Sequence, residues 1–221
     1  EAYHVEELHD RDVASAAEAL LACELGASVV RTHNVEMTAA ALKDLRPAVL
    51  LGLGSNVALV AEPGEETEAK IAQLNLAVGQ LCSLPDTQIM DMSSFYESEP
   101  AYETRQDAFA NAVIEIKTEL APLVLLDELM KIEAELGRDR SKKAKANGPR
   151  TIDLDLLWMD GETHGGKKLR LPHPLIGERD FVLVPLEDLM HDPARFFRYN
   201  GVEVKEPEDR VGHIVGELGR M

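Results

Sequence analysis

Two aspartates, Asp153 and Asp155, stand in the stretch Gly148 to Leu157 and are the residues whose types and spacing best suit catalysis. Apolar and polar residues alternate there, so a strand would be apolar on one face and carry both carboxylates on the other. With a rise of about 3.3 Å per residue, the two Cα atoms would lie about 6.5 Å apart. This spacing predicts that the carboxylates converge on a pair of divalent cations about 4 Å apart.

Arg150 comes just before this strand, where an anion held by such cations would lie. Two carboxylates beside an arginine suit Mg²⁺ and phosphate, whereas Zn²⁺ would call for His or Cys ligands. The alternative is an edge strand with a solvated acidic face. Paired like charges on one face are unfavourable unless something neutralises them, which favours the cation site.

A basic loop precedes these residues in a chain whose formal net charge is −17. A charge run is usually a solvated surface, but this one leads directly into Arg150, so we predict that it binds phosphate. Its cationic residues are Arg138, Arg140, Lys142, Lys143 and Lys145. The overall negative charge argues against DNA or an anionic membrane as the main partner.

The Gly-x-Gly of Gly52 and Gly54 follows an apolar run and resembles the start of a dinucleotide-binding loop. Val57 occupies the third glycine position and no acidic ribose ligand is clearly placed, which argues against that fold. The sequence also contains no Walker A loop. A buried strand from Ala48 that turns into a loop at Asn56 explains the pattern better.

Hydrophobic periodicity predicts six elements in the order β-α-β-β-α-β, the ferredoxin-like arrangement, and hence an α+β sandwich with C-terminal additions. The additions are a rigid turn at 172–174 and a short buried run at 181–186, and the residues from Tyr199 onward receive no assignment. The six predicted elements are strand 48–56, a helix with apolar positions 71–81, strands 89–96 and 112–117, helix 122–136 and strand 151–157.

Residues 1–46 are predicted to form a short α-β-α segment without room for a core of its own. Asp12 is expected to cap a helix that ends near Gly26. A strand from Ser28 to Thr32 follows, and a second helix runs after Asn34 until Pro47 stops it.

The two cysteines, Cys23 and Cys82, form no metal or redox motif. Free thiols fit a reducing cytoplasm, and we expect a cytoplasmic protein because no apolar run approaches the length of a membrane span. The chain begins at Glu1, so we also expect it to be a piece of a longer polypeptide.

The stretch Ala27 to Val35 resembles the last strand and helix of dihydropteroate synthase, a TIM-barrel family whose terminal strand ends in Arg-x-His. The resemblance implies that residues 1–46 are a remnant of that enzyme, with Arg31 and His33 as former phosphate ligands. One barrel unit cannot build an eight-fold barrel, so these ligands would be vestigial. The alternative is an ordinary extension with a surface arginine and histidine.

A series of motifs in order along the chain resembles the 6-hydroxymethyl-7,8-dihydropterin pyrophosphokinase family over about residues 47 to 192. The resemblance implies a pyrophosphokinase domain at 47–221, which makes AMP and pterin diphosphate from ATP and the pterin in folate biosynthesis. Dihydropteroate synthase acts one step later, so fusion of the two enzymes would explain the N-terminal remnant. The motifs are Gly52-Leu53-Gly54-Ser55-Asn56, Ser94-Phe95-Tyr96, Asn111-Ala112-Val113, Glu133, Gly137-Arg138, Gly148 to Leu157, Pro172-His173-Pro174 and Arg179-Asp180-Phe181.

The resemblance also implies a role for each site residue. Asp153 and Asp155 would hold two Mg²⁺ ions, and Arg138 and Arg150 would act with them in catalysis. ATP would be bound by Glu133, Arg140, Arg150, His173 and Arg179. The pterin would be bound by Ser98, Ala101, Phe109, Asn111 and Phe181, with the two phenylalanines stacking on its ring.

Several alternatives remain open at this point. Phe109 and Phe181 could be ordinary core residues, and Glu133 could be an exposed helical glutamate. The Asp-x-Asp could serve another Mg²⁺-dependent phosphotransferase or nucleotidyltransferase, or a non-enzymatic ferredoxin-like ligand-binding module could carry the acids as surface residues. Residues 1–46 could be a docking segment whose exposed apolar faces need cover.

Overall fold

A computed structural model describes residues 5–24, 30–42, 48–141 and 147–220 of the chain. The chain divides into two compact units, Glu1–Arg46 and Pro47–Met221. No helix in the described part is both long and apolar enough to cross a lipid bilayer.

The described part of the smaller unit contains two helices, α1 (Val5–Glu24) and α2 (Val35–Leu42). Asn34 caps α2, because its Oδ1 accepts a hydrogen bond of 3.0 Å from the Met37 N–H. The prediction that Asp12 caps the first helix is wrong. The helix begins earlier, and Asp12 instead accepts a hydrogen bond of 2.9 Å from Asn34.

The predicted strand Ser28 to Thr32 is not seen in its described part, since residues 30–32 have no strand structure. A lone strand has no partner for its backbone hydrogen bonds, so it is not stable by itself. Ser28 and Pro47 lie outside the described residues.

The larger unit has the predicted β-α-β-β-α-β order, except that the second predicted strand is divided into two, and the α+β ferredoxin-like fold is confirmed. The sheet order is β5 (Asp153–Met159), β1 (Ala48–Ser55), β4 (Phe109–Thr118), β3 (Phe95–Ser98) and β8 (Ile214–Gly219), with β2 (Thr87–Met92) also beside β4, and every pair is antiparallel. The first elements are β1 (Ala48–Ser55), α3 (Glu66–Leu81), β2 (Thr87–Met92), β3 (Phe95–Ser98), β4 (Phe109–Thr118), α4 (Pro122–Glu135) and β5 (Asp153–Met159).

The predicted strand 89–96 is two strands, β2 and β3, separated by Ser93 and Ser94. Both serines are buried, and at each of them a side-chain oxygen accepts a hydrogen bond from a backbone N–H in place of a backbone carbonyl. The Ser93 hydroxyl accepts a hydrogen bond of 2.9 Å from the Val113 N–H, and the Ser94 N–H donates one of 2.8 Å to Asp188. The strand therefore breaks where side chains replace backbone partners.

The sheet separates two hydrophobic clusters. The larger one lies between the sheet and helices α3 and α4, and its buried residues include Leu51, Leu74, Ile114 and Leu129. The smaller one lies on the opposite face, where Leu157 meets residues of the C-terminal helices. The C-terminal elements thus cover only part of that second face.

The C-terminal part contains a helix and an edge strand in stretches to which the sequence analysis assigned no secondary structure. The buried run 181–186 belongs to a helix, α5 (Asp180–Leu186), and the stretch after Tyr199 contains an edge strand, β8 (Ile214–Gly219), beside β3. The sequence signal of β8 is weak because Val215 and Glu217 point outward between partly buried neighbours. These elements are β6 (His164–Gly165), β7 (Arg170–Leu171), α5 (Asp180–Leu186), α6 (Pro193–Tyr199) and β8 (Ile214–Gly219).

Candidate active site

A cleft lies on the sheet face that carries the aspartates, and its floor is set by the register of three strands. Gly54 on β1 pairs with Asn111 on β4 and with Asp153 on β5, while Gly52 pairs with Asp155. Residues directly opposite each other on paired strands share a face, so the carboxylates and the carboxamide point to the same side. The glycines between them leave space that side chains would fill.

All five residues predicted to bind pterin line this cleft, together with four of those predicted to act on phosphate or metal, Arg150, Asp153, Asp155 and Arg179. The full lining is Gly52, Leu53, Gly54, Ser98, Glu99, Ala101, Tyr102, Phe109, Asn111, Asn147, Arg150, Asp153, Asp155, Arg179, Phe181 and Val182. The predicted residues Arg138, Arg140, Glu133 and His173 lie outside it.

Arginines neutralise both aspartates. Asp153 forms ion pairs with Arg150 and with Arg138, whose Nη1 lies 2.9 Å from Asp153 Oδ1. Asp155 pairs with Arg179 at 3.0 Å from Nη1 to Oδ2. Arginines of the protein itself therefore neutralise the two carboxylates, as expected for like charges on one face of a strand.

Burial and then the charge of Asp153 raise the pKa of Asp155 to about 6, although the Arg179 guanidinium opposes this. About a third of the Asp155 side chain is still accessible from the cleft, 34 % by area. A raised pKa means that the protein disfavours the ionised form of this carboxyl group, and a cation bound close to it would stabilise that form.

The donor set of the cleft fits a hard cation. Within the residues that the structure describes, no three His, Cys, Asp or Glu side chains cluster as a metal site. Asp153 and Asp155 supply carboxylate oxygens alone, and Mg²⁺ commonly takes one or two carboxylates and completes its shell with water and substrate phosphates. The residues present are therefore compatible with Mg²⁺ that arrives with a phosphate substrate.

Glu133 on α4 is buried, with 1 % of its side chain exposed, so the alternative of an exposed helical glutamate is wrong. Its Oε1 accepts a hydrogen bond of 2.9 Å from the Leu154 N–H, between the two aspartates of β5. Its Oε2 accepts one of 3.0 Å from Arg140 Nε. Glu133 therefore joins the start of the basic loop to the strand that carries Asp153 and Asp155.

The surroundings of His173 favour a neutral imidazole. Its Nδ1 accepts a hydrogen bond of 3.2 Å from the Leu175 N–H, which places the ring proton on Nε2. Burial, followed by the charge of Arg179, lowers the pKa of His173 to about 4. The backbone N–H of His173 also donates to the Leu157 carbonyl at 2.8 Å. His173 can therefore offer one N–H donor without a charge.

Phe109 and Phe181 both line the cleft and are only partly buried. Part of each ring therefore remains exposed, which the alternative of ordinary core residues does not explain. The Arg150 guanidinium carbon lies 5.6 Å from the Phe109 ring centroid, and that of Arg179 lies 5.3 Å from the Phe181 centroid. Such cation–π contacts hold the arginines beside the rings.

Asn111 is 3 % exposed, and its amide nitrogen donates a hydrogen bond of 2.9 Å to the Ser98 hydroxyl. A Cβ on Gly54 would lie 3.3 Å from Asn111 Oδ1. The bond to Ser98 therefore orients the amide, as a recognition group requires, and the absence of a side chain at Gly54 leaves room beside its oxygen.

Sequence reasoning gave no individual role to two residues of this region, Tyr102 and Asn56. Tyr102 lines the cleft and donates a hydrogen bond of 2.7 Å to Glu178. Asn56 is 1 % exposed and accepts from the Arg150 N–H at 2.8 Å, and it donates to Gln106 at 3.1 Å. The sequence features that could have indicated them are the aromatic side chain of Tyr102 in a loop and the position of Asn56 directly after a strand. The predicted Lys142, Lys143 and Lys145 lie outside the described residues.

Comparison with known proteins identifies one family model over residues 50–191, described as 7,8-dihydro-6-hydroxymethylpterin-pyrophosphokinase. A 2-amino-4-hydroxy-6-hydroxymethyldihydropteridine pyrophosphokinase of Haemophilus influenzae is 40 % identical over 129 residues, which cover 58 % of this chain and 79 % of that protein. The enzyme of the same name from Methylorubrum extorquens is 41 % identical over 142 residues, 64 % of this chain and 82 % of its own length.

A longer relative also matches. The folic acid synthesis protein FOL1 of Dictyostelium discoideum is 42 % identical over 101 residues, which make up 46 % of this chain but 15 % of that protein. The matching region is thus a small part of a much larger polypeptide there.

Proposed function

The chain belongs to the 7,8-dihydro-6-hydroxymethylpterin-pyrophosphokinase family, and we propose that the cleft on its sheet is the place where ATP and the pterin react. The chain is an enzyme of folate biosynthesis that transfers diphosphate from ATP to 6-hydroxymethyl-7,8-dihydropterin and releases AMP. The observation that carries the assignment is one cleft that joins two carboxylates and their arginines to two phenylalanines and a carboxamide.

The pterin ring stacks between Phe109 and Phe181 in this proposal. Aromatic pairs at the two sides of a cleft suit a flat heteroaromatic ring. Asn111, held by Ser98, reads the polar edge of the ring, and the backbone near Ala101 adds further hydrogen bonds. A site built to hydrogen-bond that edge rejects rings that lack its donors and acceptors.

The phosphate side of the cleft is formed by Asp153, Asp155 and the arginines beside them. We assign two Mg²⁺ ions to the two carboxylates, which would neutralise the triphosphate and polarise the phosphorus that is attacked. Support comes from the oxygen-only donor set and from the raised pKa of Asp155. Cation binding would free Arg150 and Arg179 to pair with phosphate oxygens instead.

The reaction is an in-line displacement at the β-phosphorus of ATP. The pterin hydroxymethyl oxygen forms the new bond to that phosphorus, the bond to the oxygen shared with the α-phosphate breaks, and AMP leaves, while the hydroxyl proton passes to the departing AMP phosphate. Catalysis of this kind depends on alignment and on charge neutralisation. Arg138 and Arg150 supply positive charge beside Asp153, while His173 donates its Nε2 proton to a phosphate oxygen as a hydrogen bond.

In this proposal, Glu133 and Arg140 bind ATP. In the structure they bind each other, so ATP would have to compete for Arg140. The loop that Arg140 begins then closes over the nucleotide and excludes water, which limits hydrolysis of ATP.

We further propose that residues 1–46 are the remnant of a dihydropteroate synthase and that the natural polypeptide is a fusion of both enzymes. The size of the Dictyostelium relative supports this, because the matching region forms only 15 % of it. In the described part, Arg31 and His33 are exposed, which suits vestigial ligands.

The exposed free thiol of Cys82 supports a reducing cytoplasm as the location.

Phosphorus NMR tests the proposal. The chain is incubated with Mg²⁺, ATP and 6-hydroxymethyl-7,8-dihydropterin, beside Asp153→Asn and a control, Asp127→Asn, whose carboxylate forms an exposed ion pair with Lys168. We expect AMP and pterin diphosphate from the unsubstituted chain and the control, and neither product from Asp153→Asn or without Mg²⁺. ADP or free phosphate as the product would point to a different phosphotransferase, and full activity of Asp153→Asn would refute the cation site.

A further inference from the structure

We propose that residues 210–213, here called the backing segment, hold the Phe181 ring in place at the cleft, and that Gly212 is the residue that positions it. This inference rests on the proposed function, because it assigns Phe181 to the pterin. The family match ends at residue 191, so the backing segment lies beyond it. The chain thus uses a C-terminal addition to build one wall of its substrate site.

Backbone hydrogen bonds tie the backing segment to both edges of that wall. The Val211 N–H donates to the Glu178 carbonyl at 2.8 Å, and the Asp180 N–H donates back to the Val211 carbonyl at 3.1 Å. The Glu99 N–H donates to the His213 carbonyl at 2.9 Å. The segment therefore joins the loop after β3 to the start of α5, and Glu99 on that loop lines the cleft.

Side-chain contacts of Asp180 with Arg210 and His213 also hold the same segment. The Asp180 carboxylate lies 3.3 Å from Arg210 Nη1 and 2.7 Å from His213 Nδ1. The side chains of Asp180 and Arg210 are only 13 % and 10 % exposed, so this pair is screened by solvent less than a surface pair would be. The segment therefore has a fixed position relative to the residue that precedes Phe181.

Gly212 makes the closest approach to the Phe181 ring. Its φ is +64°, and a Cβ built on it would lie 2.4 Å from Phe181 Cδ1 and 2.9 Å from Cε1. The same Cβ would lie 3.5 Å from Ala101 Cβ, another residue of the cleft. Any side chain at this position must therefore push the ring toward the cleft or push the segment away.

The chain offers two matched glycine controls. Gly201 also has a positive φ, +79°, but an added Cβ meets nothing within 4 Å, so Gly201→Ala reports backbone strain alone. Gly216 lies in β8, close to the backing segment, and its added Cβ also meets open space. Gly216→Ala therefore reports a change in the neighbouring strand without contact with the ring.

Steady-state kinetics of Gly212→Ala tests the inference. Overpacking against the ring should raise KM for the pterin about tenfold, while KM for ATP stays as in Gly201→Ala and Gly216→Ala. Equal changes in both KM values, or a variant that behaves like Gly201→Ala, would overturn the positioning role.

A double-variant cycle in thermal stability tests the contact without substrate. Phe181→Ala removes the ring, so adding Gly212→Ala to it should lower the melting temperature only as much as Gly201→Ala does. If Gly212→Ala alone fails to fold, the double variant should fold, and failure of both overturns the inference. If the unsubstituted chain makes no pterin diphosphate while the cycle shows coupling, it is the proposed function that fails, and with it the pterin assignment.

Discussion

Single side chains decide the charge balance of this site. Asp153 and Asp155 face the cleft with arginines on both, and one carboxylate has its pKa raised while His173 has its pKa lowered. A raised carboxyl pKa and a lowered imidazole pKa have the same origin, which is burial that disfavours charge. The arrangement keeps His173 neutral and makes Asp155 sensitive to any added cation.

Proton and metal should therefore compete at Asp155. Because its pKa is raised to about 6, the carboxylate is ionised above that pH and protonated below it, so divalent-cation affinity should fall as the pH drops below about 6. We expect about tenfold weaker Mn²⁺ binding per pH unit below this value, measured by EPR of free Mn²⁺. Asp155→Asn should bind weakly with little pH dependence, and an unchanged pH profile in this variant would contradict the assignment.

His173 should act through its N–H and not through a charge. We expect His173→Ala to lower kcat/KM for ATP about tenfold, the effect of one lost hydrogen bond to a charged group. His173→Gln can retain a donor and should recover part of the loss. Since the pKa of His173 is lowered to about 4, the unsubstituted enzyme should show no inflection from this residue near pH 6.5, and such an inflection that disappears in His173→Gln would contradict this role.

At the scale of elements, β5 is positioned by a helix as well as by its neighbouring strand, β1. Glu133 on α4 accepts a hydrogen bond from the Leu154 N–H, and among the residues that the structure describes β5 lies at the edge of the sheet. A buried carboxylate that satisfies a backbone N–H fixes the strand to the helix. The aspartates on either side of Leu154 are held by that link.

Removal of this carboxylate should affect stability and the site together. Glu133→Ala leaves the Leu154 N–H without its acceptor and should cost about 1–3 kcal/mol in the free energy of unfolding, measured by urea denaturation. Glu133→Gln keeps an acceptor oxygen and should cost less. Equal losses in the two variants would show that the hydrogen bond to Leu154 does not matter.

At the scale of the whole molecule, every residue of the cleft comes from the larger unit, Pro47–Met221. That unit contains both hydrophobic clusters on the two faces of its sheet. A unit with its own core and a complete set of cleft residues has what it needs to fold and to bind substrate.

Deletion of residues 1–46 should therefore leave kcat and both KM values unchanged. The melting temperature of the larger unit should also stay the same, because its cores lie within that unit. Size-exclusion chromatography of the full chain and of the shortened chain tests the alternative that residues 1–46 are a docking segment. A change in oligomeric state or a loss of activity on deletion would favour a docking role for residues 1–46.

The sequence by itself determined the β-α-β-β-α-β pattern of the larger unit up to β5 and the identity of the central acids. Alternation around Asp153 and the apolar stripe that includes Leu129 are local patterns, and local patterns report which face of an element is buried. The resemblance to one enzyme family added the residues of the cleft, such as Asn111, because its motifs occur in order along the chain.

Tertiary structure decided the features that depend on distant residues. The burial of Glu133, the strand β8 and the approach of Gly212 to Phe181 each join segments far apart in the chain. Neither helical nor strand periodicity contains such information, because each reports only on near neighbours. For the same reason, the space that Gly54 leaves between β4 and β5 became visible only once the register was known.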